Sequence, residues 1–96
     1  MKISASNRVQ GWLQTLSPET RRDIRSGLRL LSQGKGDVKA LQRDLDGYYR
    51  LRVGAYRILF RYTSGKSGPE CFCAFAEARD VVYEQFAAIL AEEGRI

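Results

Sequence analysis

The first third of the chain carries the apolar spacing of helices. Asn7 is expected to cap a helix that runs to about Leu16, and Ser17, followed by proline, to cap a second helix that runs to about Gln33 and stops at Gly34. In each segment the apolar residues recur every three or four positions and so share one helix face: Val9, Leu13 and Leu16, then Ile24, Leu28 and Leu31. The pattern predicts two helices joined at a tight corner, a helical hairpin.

From about residue 47 the apolar period shortens from four to two, which is the period of a β-strand. Gly54 and Ala55 form a predicted two-residue turn, and glycine at its first central position fits a type II′ hairpin. A wider loop at residues 63–69 precedes another strand, and a last helix follows, for which Asp80 is the expected cap. The predicted strands are residues 2–5, 48–53, 56–61 and about 70–76. The apolar stripe of the last helix is Val82, Phe86, Ile89 and Leu90.

The two-residue turn also predicts which residues of the hairpin face each other, and it places Arg52 opposite Arg57. One face is then apolar and belongs to the core: Tyr49, Leu51, Val53, Tyr56, Ile58 and Phe60. The other face is basic: Tyr48, Arg50, Arg52, Arg57, Leu59 and Arg61. Like charges directly opposite each other destabilise a sheet by roughly 0.2–1 kcal/mol. We therefore expect this face to bind an anion, either a nucleic-acid backbone or an acidic protein, with solvated arginines as the alternative interpretation.

Composition limits the kind of protein this can be. With 96 residues, 44% of them hydrophobic, and a net charge of +5, the chain is expected to form one folded domain over residues 1–96. Its longest apolar runs hold six residues, whereas a membrane-spanning helix needs about 20. The first ten residues also lack the apolar stretch of a signal peptide, so we expect no membrane association and a cytoplasmic location. The arginine stripe of the second helix is interpreted as solvated: Arg21, Arg25 and Arg29.

The chain has no histidine and two cysteines, which narrows the possible chemistry. Without imidazole, Ser-His-Asp hydrolysis and a His-paired cysteine nucleophile are excluded. Cys71 and Cys73 lie two apart on a predicted strand, so both should face the same side as buried free thiols. The sequence contains no metal-ligand set and no Gly-rich phosphate loop, and we expect no metal and no other cofactor.

Two stretches of the sequence resemble a known family. Residues 47–62, GYYRLRVGAYRILFRY, combine a basic strand, a glycine turn and Tyr-Arg at the start of the next strand, and residues 78–83 are ARDVVY. Over nearly the whole chain, the sequence resembles the RelE/ParE superfamily of bacterial toxins from type II toxin–antitoxin modules. The resemblance implies an α+β fold, with a helical hairpin packed on a small antiparallel sheet of three to four strands and a C-terminal helix. It also implies a cognate antitoxin as partner.

For the RelE-like branch, the resemblance implies an mRNA endonuclease that acts on ribosomes, in which a ribose 2′-OH attacks the adjacent phosphate. It implies catalytic roles for Arg57, Arg79, Tyr83 and Arg52, and RNA contacts for Arg50, Arg52, Tyr48 and Arg61. Arginine keeps its proton in proteins, so the arginines fit only as stabilisers of the negatively charged transition state. Tyr83 fits proton transfer, stacking on a base or core packing.

Glu77 departs from the RelE-like pattern. Some RelE-like nucleases carry a basic residue two positions before the arginine that corresponds to Arg79, and this chain has Glu77 there. A carboxylate at that position repels phosphate, although it is also a candidate base. The alternative function is therefore a ParE-like toxin that inhibits DNA gyrase by binding, without RNA cleavage. A non-toxic RNA-binding or repressor relative is a third interpretation.

Overall fold

A computed structural model describes residues 1–95 and confirms the α+β class. A five-stranded sheet is packed between a helical hairpin on one face and a single helix on the other. The elements, in chain order, are β1 (Lys2–Ala5), α1 (Asn7–Gln14), α2 (Pro18–Ser32), β2 (Asp37–Ala40), a 3₁₀ turn (Arg43–Leu45), β3 (Tyr49–Val53), β4 (Tyr56–Gly65), β5 (Gly68–Ala78) and α3 (Val82–Glu92).

The sheet order is β1-β5-β4-β3-β2, antiparallel throughout except that β1 runs parallel to β5. Five strands form instead of the predicted three or four because β2 pairs with β3. The sequence of β2, DVKA, holds only two apolar residues, and its pairing depends on a distant strand. The predicted wide loop at residues 63–69 is wrong, since β4 and β5 stay paired up to Gly65 and Gly68. The turn that joins them is only two residues long.

The register of the β3–β4 hairpin is confirmed, including the pairing of Arg52 with Arg57. Gly54 has a φ of +57°, and Ala55 does not have a positive φ, as a type II′ turn requires. Further along, the β4–β5 register shifts by one residue, so that Ala74 has no partner on β4. Such a bulge reverses which face the following residues occupy. It lets one apolar run, Cys71 to Phe75, contribute to both faces of the sheet.

Each face of the sheet carries its own hydrophobic core. The larger core, under α1 and α2, buries Val9, Ile24, Leu31, Leu51, Ile58, Phe60, Cys71, Cys73 and Ala76. The smaller core, under α3, buries Leu45, Leu59, Phe75, Val82, Phe86 and Leu90. The predicted apolar stripes are confirmed, with Leu13, Leu16, Leu28 and Ile89 half-buried at the margins of these cores. The basic face of the hairpin is therefore the face that α3 partly covers.

Two of the three predicted helix caps are wrong. Ser6, not Asn7, caps α1: its hydroxyl accepts a hydrogen bond from the Val9 amide at 3.2 Å and donates one to the Ala74 carbonyl at 3.0 Å. Ser17 caps α2 as predicted. Asp80 does not cap α3, because Val81 occupies the cap position and no side chain bonds to the helix end.

Both cysteines are buried free thiols on one face of the sheet, as predicted, and that face packs against the helical hairpin. Burial raises the pKa of Cys71, and burial together with the neighbouring Cys71 raises the pKa of Cys73 to about 12. Within residues 1–95, no cluster of side chains has the composition of a metal site, and no helix is long and apolar enough to span a membrane.

Gly27 marks the closest approach of α2 to the sheet. A Cβ built there would lie 2.6 Å from Cγ2 of Val53, a stiff β-branched side chain, whereas a Cβ at Gly11 in α1 would meet nothing within 4 Å. We expect Gly27→Ala to lower the free energy of unfolding by about 1–3 kcal/mol through overpacking. We expect the control Gly11→Ala to raise it by about 0.5–1 kcal/mol through helix propensity. Urea unfolding followed by circular dichroism measures both, and equal effects of the two changes would contradict the close approach.

Candidate functional site

Four charged residues form one row across the sheet on the face that α3 partly covers. Asp37 on β2 pairs with Arg52 on β3, Arg52 with Arg57 on β4, and Arg57 with Glu77 on β5. Residues paired across strands point to the same face, so the charges follow in the order acid, base, base and acid. Within residues 1–95, no carboxylate lies within ion-pair distance of either central arginine. The two guanidinium groups therefore remain available to an external anion.

Arg50 is held in place by Asp37. Its Nη1 donates to the Asp37 backbone carbonyl at 2.9 Å and to the Asp37 carboxylate at 3.0 Å, and its side chain is only 17% exposed. The hydrogen bond from Arg50 lowers the pKa of the Asp37 carboxyl below 3.8, and the charges of Arg50, Arg52 and Arg57 act in the same direction. Arg50 is thus a fixed cation beside the row.

Arg57 and Arg79 flank the hairpin turn. Arg57 Nη1 donates to the carbonyls of Gly54 and Tyr56, both at 2.9 Å. These bonds anchor the guanidinium, and they use only Nη1 of a group that has five N–H donors on three nitrogens. The Arg79 amide donates to the Ala55 carbonyl at 2.9 Å, so β5 ends next to the same turn. The Arg79 side chain is exposed, with its Nε 3.6 Å from the Asp80 carboxylate.

Tyr83 lies in the first turn of α3 and borders a surface cleft of about 410 Å³. Arg50 and Lys39 line the same cleft, together with the segment from Ala40 to Gln42. Tyr83 also packs partly against the smaller core, so packing and function are both compatible with its position. Arg79 precedes α3 and is not helical, so the two residues do not share a helix face.

The predicted basic cluster is divided in two by α3. Leu59 lies between Arg57 and Arg61 on β4, and it is completely buried in the smaller core. Arg61 stacks over the Phe72 ring at 5.2 Å, and Tyr48 packs edge-on against Phe86. A separate groove of about 190 Å³ on that side is lined by Arg61 and Tyr48 and also by Arg8. The structure thus brings together Arg50, Arg52 and Arg57, but not Arg61 and Tyr48 with them.

The arginine stripe of α2 lies on the other side of the sheet and has two roles. Arg21 is not simply solvated, because its guanidinium donates to the carbonyls of Leu13 and Leu16, both at 3.0 Å, at the end of α1. Arg25 and Arg29 are exposed, as predicted, and lie next to the exposed Arg22 along a surface groove. The last carbonyls of a helix have no hydrogen-bond partner within the helix and commonly accept bonds from basic side chains.

Sequence reasoning missed Asp37 and Lys39 as members of the site. Both lie on β2, and their positions follow from the pairing of Asp37 with Arg52 and of Lys39 with Arg50. The alternation of charged and apolar residues in DVKA was the available signal, and it was too short to be distinguished from a loop.

The fold and the site together define a small α+β domain that carries a pair of arginines on its sheet, Arg52 exposed and Arg57 half-buried. Two solved structures share this fold. One is the YoeB/ParE toxin from Agrobacterium tumefaciens, with a TM-score of 0.66 and 17% identity over 82% of this chain and 99% of that one. The other is the RelBE2 toxin–antitoxin complex from Mycobacterium tuberculosis, with a TM-score of 0.58 and 21% identity over 81% of this chain and 96% of that one. The RelE/ParE fold implied by the sequence is therefore confirmed. No protein-family model and no curated protein sequence matches the chain.

The ion pair between Arg50 and Asp37 should be visible in the titration of Asp37. Because folding lowers the pKa of Asp37, the ion pair stabilises the folded protein at pH values above the unfolded-state pKa of this carboxyl. That stabilisation is lost as the pH falls through the folded-state pKa. We expect carboxyl-detected NMR to give a midpoint for Asp37 below 3.8, and Arg50→Gln to raise it. The control Arg22→Gln, on the opposite side of the sheet, should leave that midpoint unchanged. If Arg50→Gln left the Asp37 midpoint unchanged, the hydrogen bond from Arg50 would not be the cause of the lowered pKa.

Proposed function

We propose that this protein is the toxin of a type II toxin–antitoxin system and acts as an mRNA endonuclease on translating ribosomes in the cytoplasm. The observation that supports this most strongly is the unneutralised pair Arg52–Arg57, with Arg50 held beside it and Arg79 next to the same turn. Such a pair destabilises the free sheet and is favourable once a phosphate binds between the two guanidinium groups.

The proposed reaction is internal transfer at the scissile phosphate. The ribose 2′-oxygen forms a bond to phosphorus and loses its proton, while the bond from phosphorus to the 5′-oxygen breaks and that oxygen takes up a proton. The products are a cyclic 2′,3′-phosphate and a free 5′-hydroxyl. Arg52 and Arg57 stabilise the extra negative charge on the phosphorane, which is the dominant contribution in phosphoryl transfer. The reaction as proposed uses no metal.

Proton transfer needs a residue other than arginine. We assign it to Tyr83, because its cleft is shared with Arg50 and its side chain is half-buried instead of fully packed in the core. The Tyr83 hydroxyl would donate its proton to the leaving 5′-oxygen while Arg50 keeps the phosphate in reach. Solvent water takes up the proton of the 2′-hydroxyl and returns one to the Tyr83 oxygen.

Primer extension on a defined mRNA in a purified translation reaction tests the proposal. We expect new RNA ends with the wild-type protein only when ribosomes are present, and at least about a 100-fold lower cleavage rate with Arg57→Ala, the loss typical of a missing transition-state donor. Arg22→Ala is the matched control, since it removes an exposed arginine on the opposite side of the sheet. Undiminished cleavage by Arg57→Ala would rule out the proposed role of the pair.

Inhibition of DNA gyrase by binding is the second candidate, and Glu77 favours it. Glu77 lies opposite Arg57 on the neighbouring strand, and its negative charge opposes the approach of a phosphate. Translation that continues normally with intact RNA, while DNA replication stops and DNA damage signalling begins, would support gyrase as the target. Growth unaffected by expression would instead point to a non-toxic relative.

A cognate antitoxin is part of the proposal, since the RelBE2 structure is a complex of toxin and antitoxin. We infer that an acidic or amphipathic segment of that partner covers the arginine face, where opposite charge favours association.

A further inference from the structure

The charge row has a defined width. Adjacent strands lie about 4.8 Å apart, so the four residues from Asp37 to Glu77 span about 14 Å, while the cationic part between Arg52 and Arg57 is only about 5 Å wide. A polyanion that crosses the sheet along this row would meet a carboxylate on either side of the arginines. The ends of the row lie about 7 Å from a phosphate bound at its centre, which is within the Debye length of about 8 Å.

Along the strands the surroundings differ. The next row holds Lys39 opposite Arg50, and then Leu59 and Phe75, which are buried under α3. Beyond the other side of the arginine pair is the Gly54 turn with the exposed Arg79 beside it. Cations therefore continue along the strand direction, from Arg79 through the central pair to Arg50 and Lys39, which border the Tyr83 cleft.

We propose that Asp37 and Glu77 are specificity-determining residues that limit this face to one strand of RNA, and that they exclude duplex RNA. The strand would run from the Gly54 turn over the arginine pair to Arg50 and Lys39, because α3 covers β4 beyond Arg57. The identity of the polyanion rests on the function proposed above. A single strand brings one line of phosphates along the cationic path, between the two carboxylates. A duplex brings a second line of phosphates, since proteins contact it across its wide minor groove, and this line would approach a carboxylate.

The two carboxylates can be neutralised with their hydrogen bonds kept, although Asp37→Asn removes the charge of the Arg50–Asp37 ion pair. The Asp37 backbone carbonyl accepts a hydrogen bond from Arg50 independently of the side chain, and the oxygen of an asparagine side chain can replace the carboxylate acceptor. Glu77 Oε1 accepts from the Ala78 amide at 3.0 Å, a bond that glutamine can also make. Asp37→Asn with Glu77→Gln therefore removes charge and preserves shape.

The test measures binding of the isolated protein, without ribosomes, to a single-stranded RNA of about 12 nucleotides and to the duplex of the same sequence, at about 0.1 M salt. We expect the wild type to bind the single strand at least about 10-fold more tightly than the duplex. In the double variant we expect duplex affinity to rise about 10-fold and single-strand affinity by no more than about 3-fold, so that selectivity is largely lost. The control variant, Asp23→Asn with Glu92→Gln, makes the same change in net charge at exposed positions outside the row and should leave the selectivity ratio unchanged.

A wild type that binds duplex as tightly as single strand, or that binds neither RNA, would overturn the inference. A double variant with wild-type selectivity, or a control variant that loses selectivity equally, would overturn it as well. Binding is measured without ribosomes, so its outcome is separable from that of the proposed function. If the protein cleaves mRNA on ribosomes but does not prefer single-stranded RNA, only this inference is refuted. If the preference depends on Asp37 and Glu77 but no cleavage occurs, only the proposed nuclease activity is refuted.

Discussion

The two-residue turn at Gly54–Ala55 is the constraint on which the rest of the structure depends. A positive φ at Gly54 lets the chain reverse with the twist that its flanking strands need, and a turn of this length allows a single register. A slip by one residue would move Leu51 and Ile58 out of the larger core and would put the arginines into it. Apolar burial and the arginine pair are thus fixed by the same turn.

A second constraint comes from the opposite side of β4, where β5 must supply apolar residues to two cores. The bulge at Ala74 solves this problem, because it sends the cysteines toward α1 and α2 and Phe75 toward α3. With Phe75 and Leu59 on its face, the sheet binds α3 through buried apolar area, which stabilises by roughly 25 cal/mol per Å². The position of α3 then separates the open part of the basic face from the exposed Arg61, which borders a different groove.

In the open part of the basic face, two arginines repel each other and a carboxylate lies on either side of them. The repulsion between Arg52 and Arg57 is moderated by Asp37 and Glu77, which stand at the ends of the same row without forming ion pairs with them. Exposed charges at this spacing interact weakly in water and more strongly once a ligand displaces that water. A site of this kind keeps the sheet stable when empty and retains positive charge where a phosphate would bind. The fold matches that of the two solved toxin structures.

The sequence by itself determined the features that depend on neighbouring residues. The α2 cap at Ser17, the apolar helix stripes and the hairpin register with Arg52 opposite Arg57 follow from turn chemistry and periodicity, which act over a few residues. Tertiary structure decided what distant segments do to one another. It made a strand of DVKA by pairing it with β3, brought Asp37 to Arg50, used Arg21 to bond the end of α1, and placed α3 between Arg57 and Arg61. These outcomes depend on contacts between residues far apart in the chain, whose energies no local pattern records.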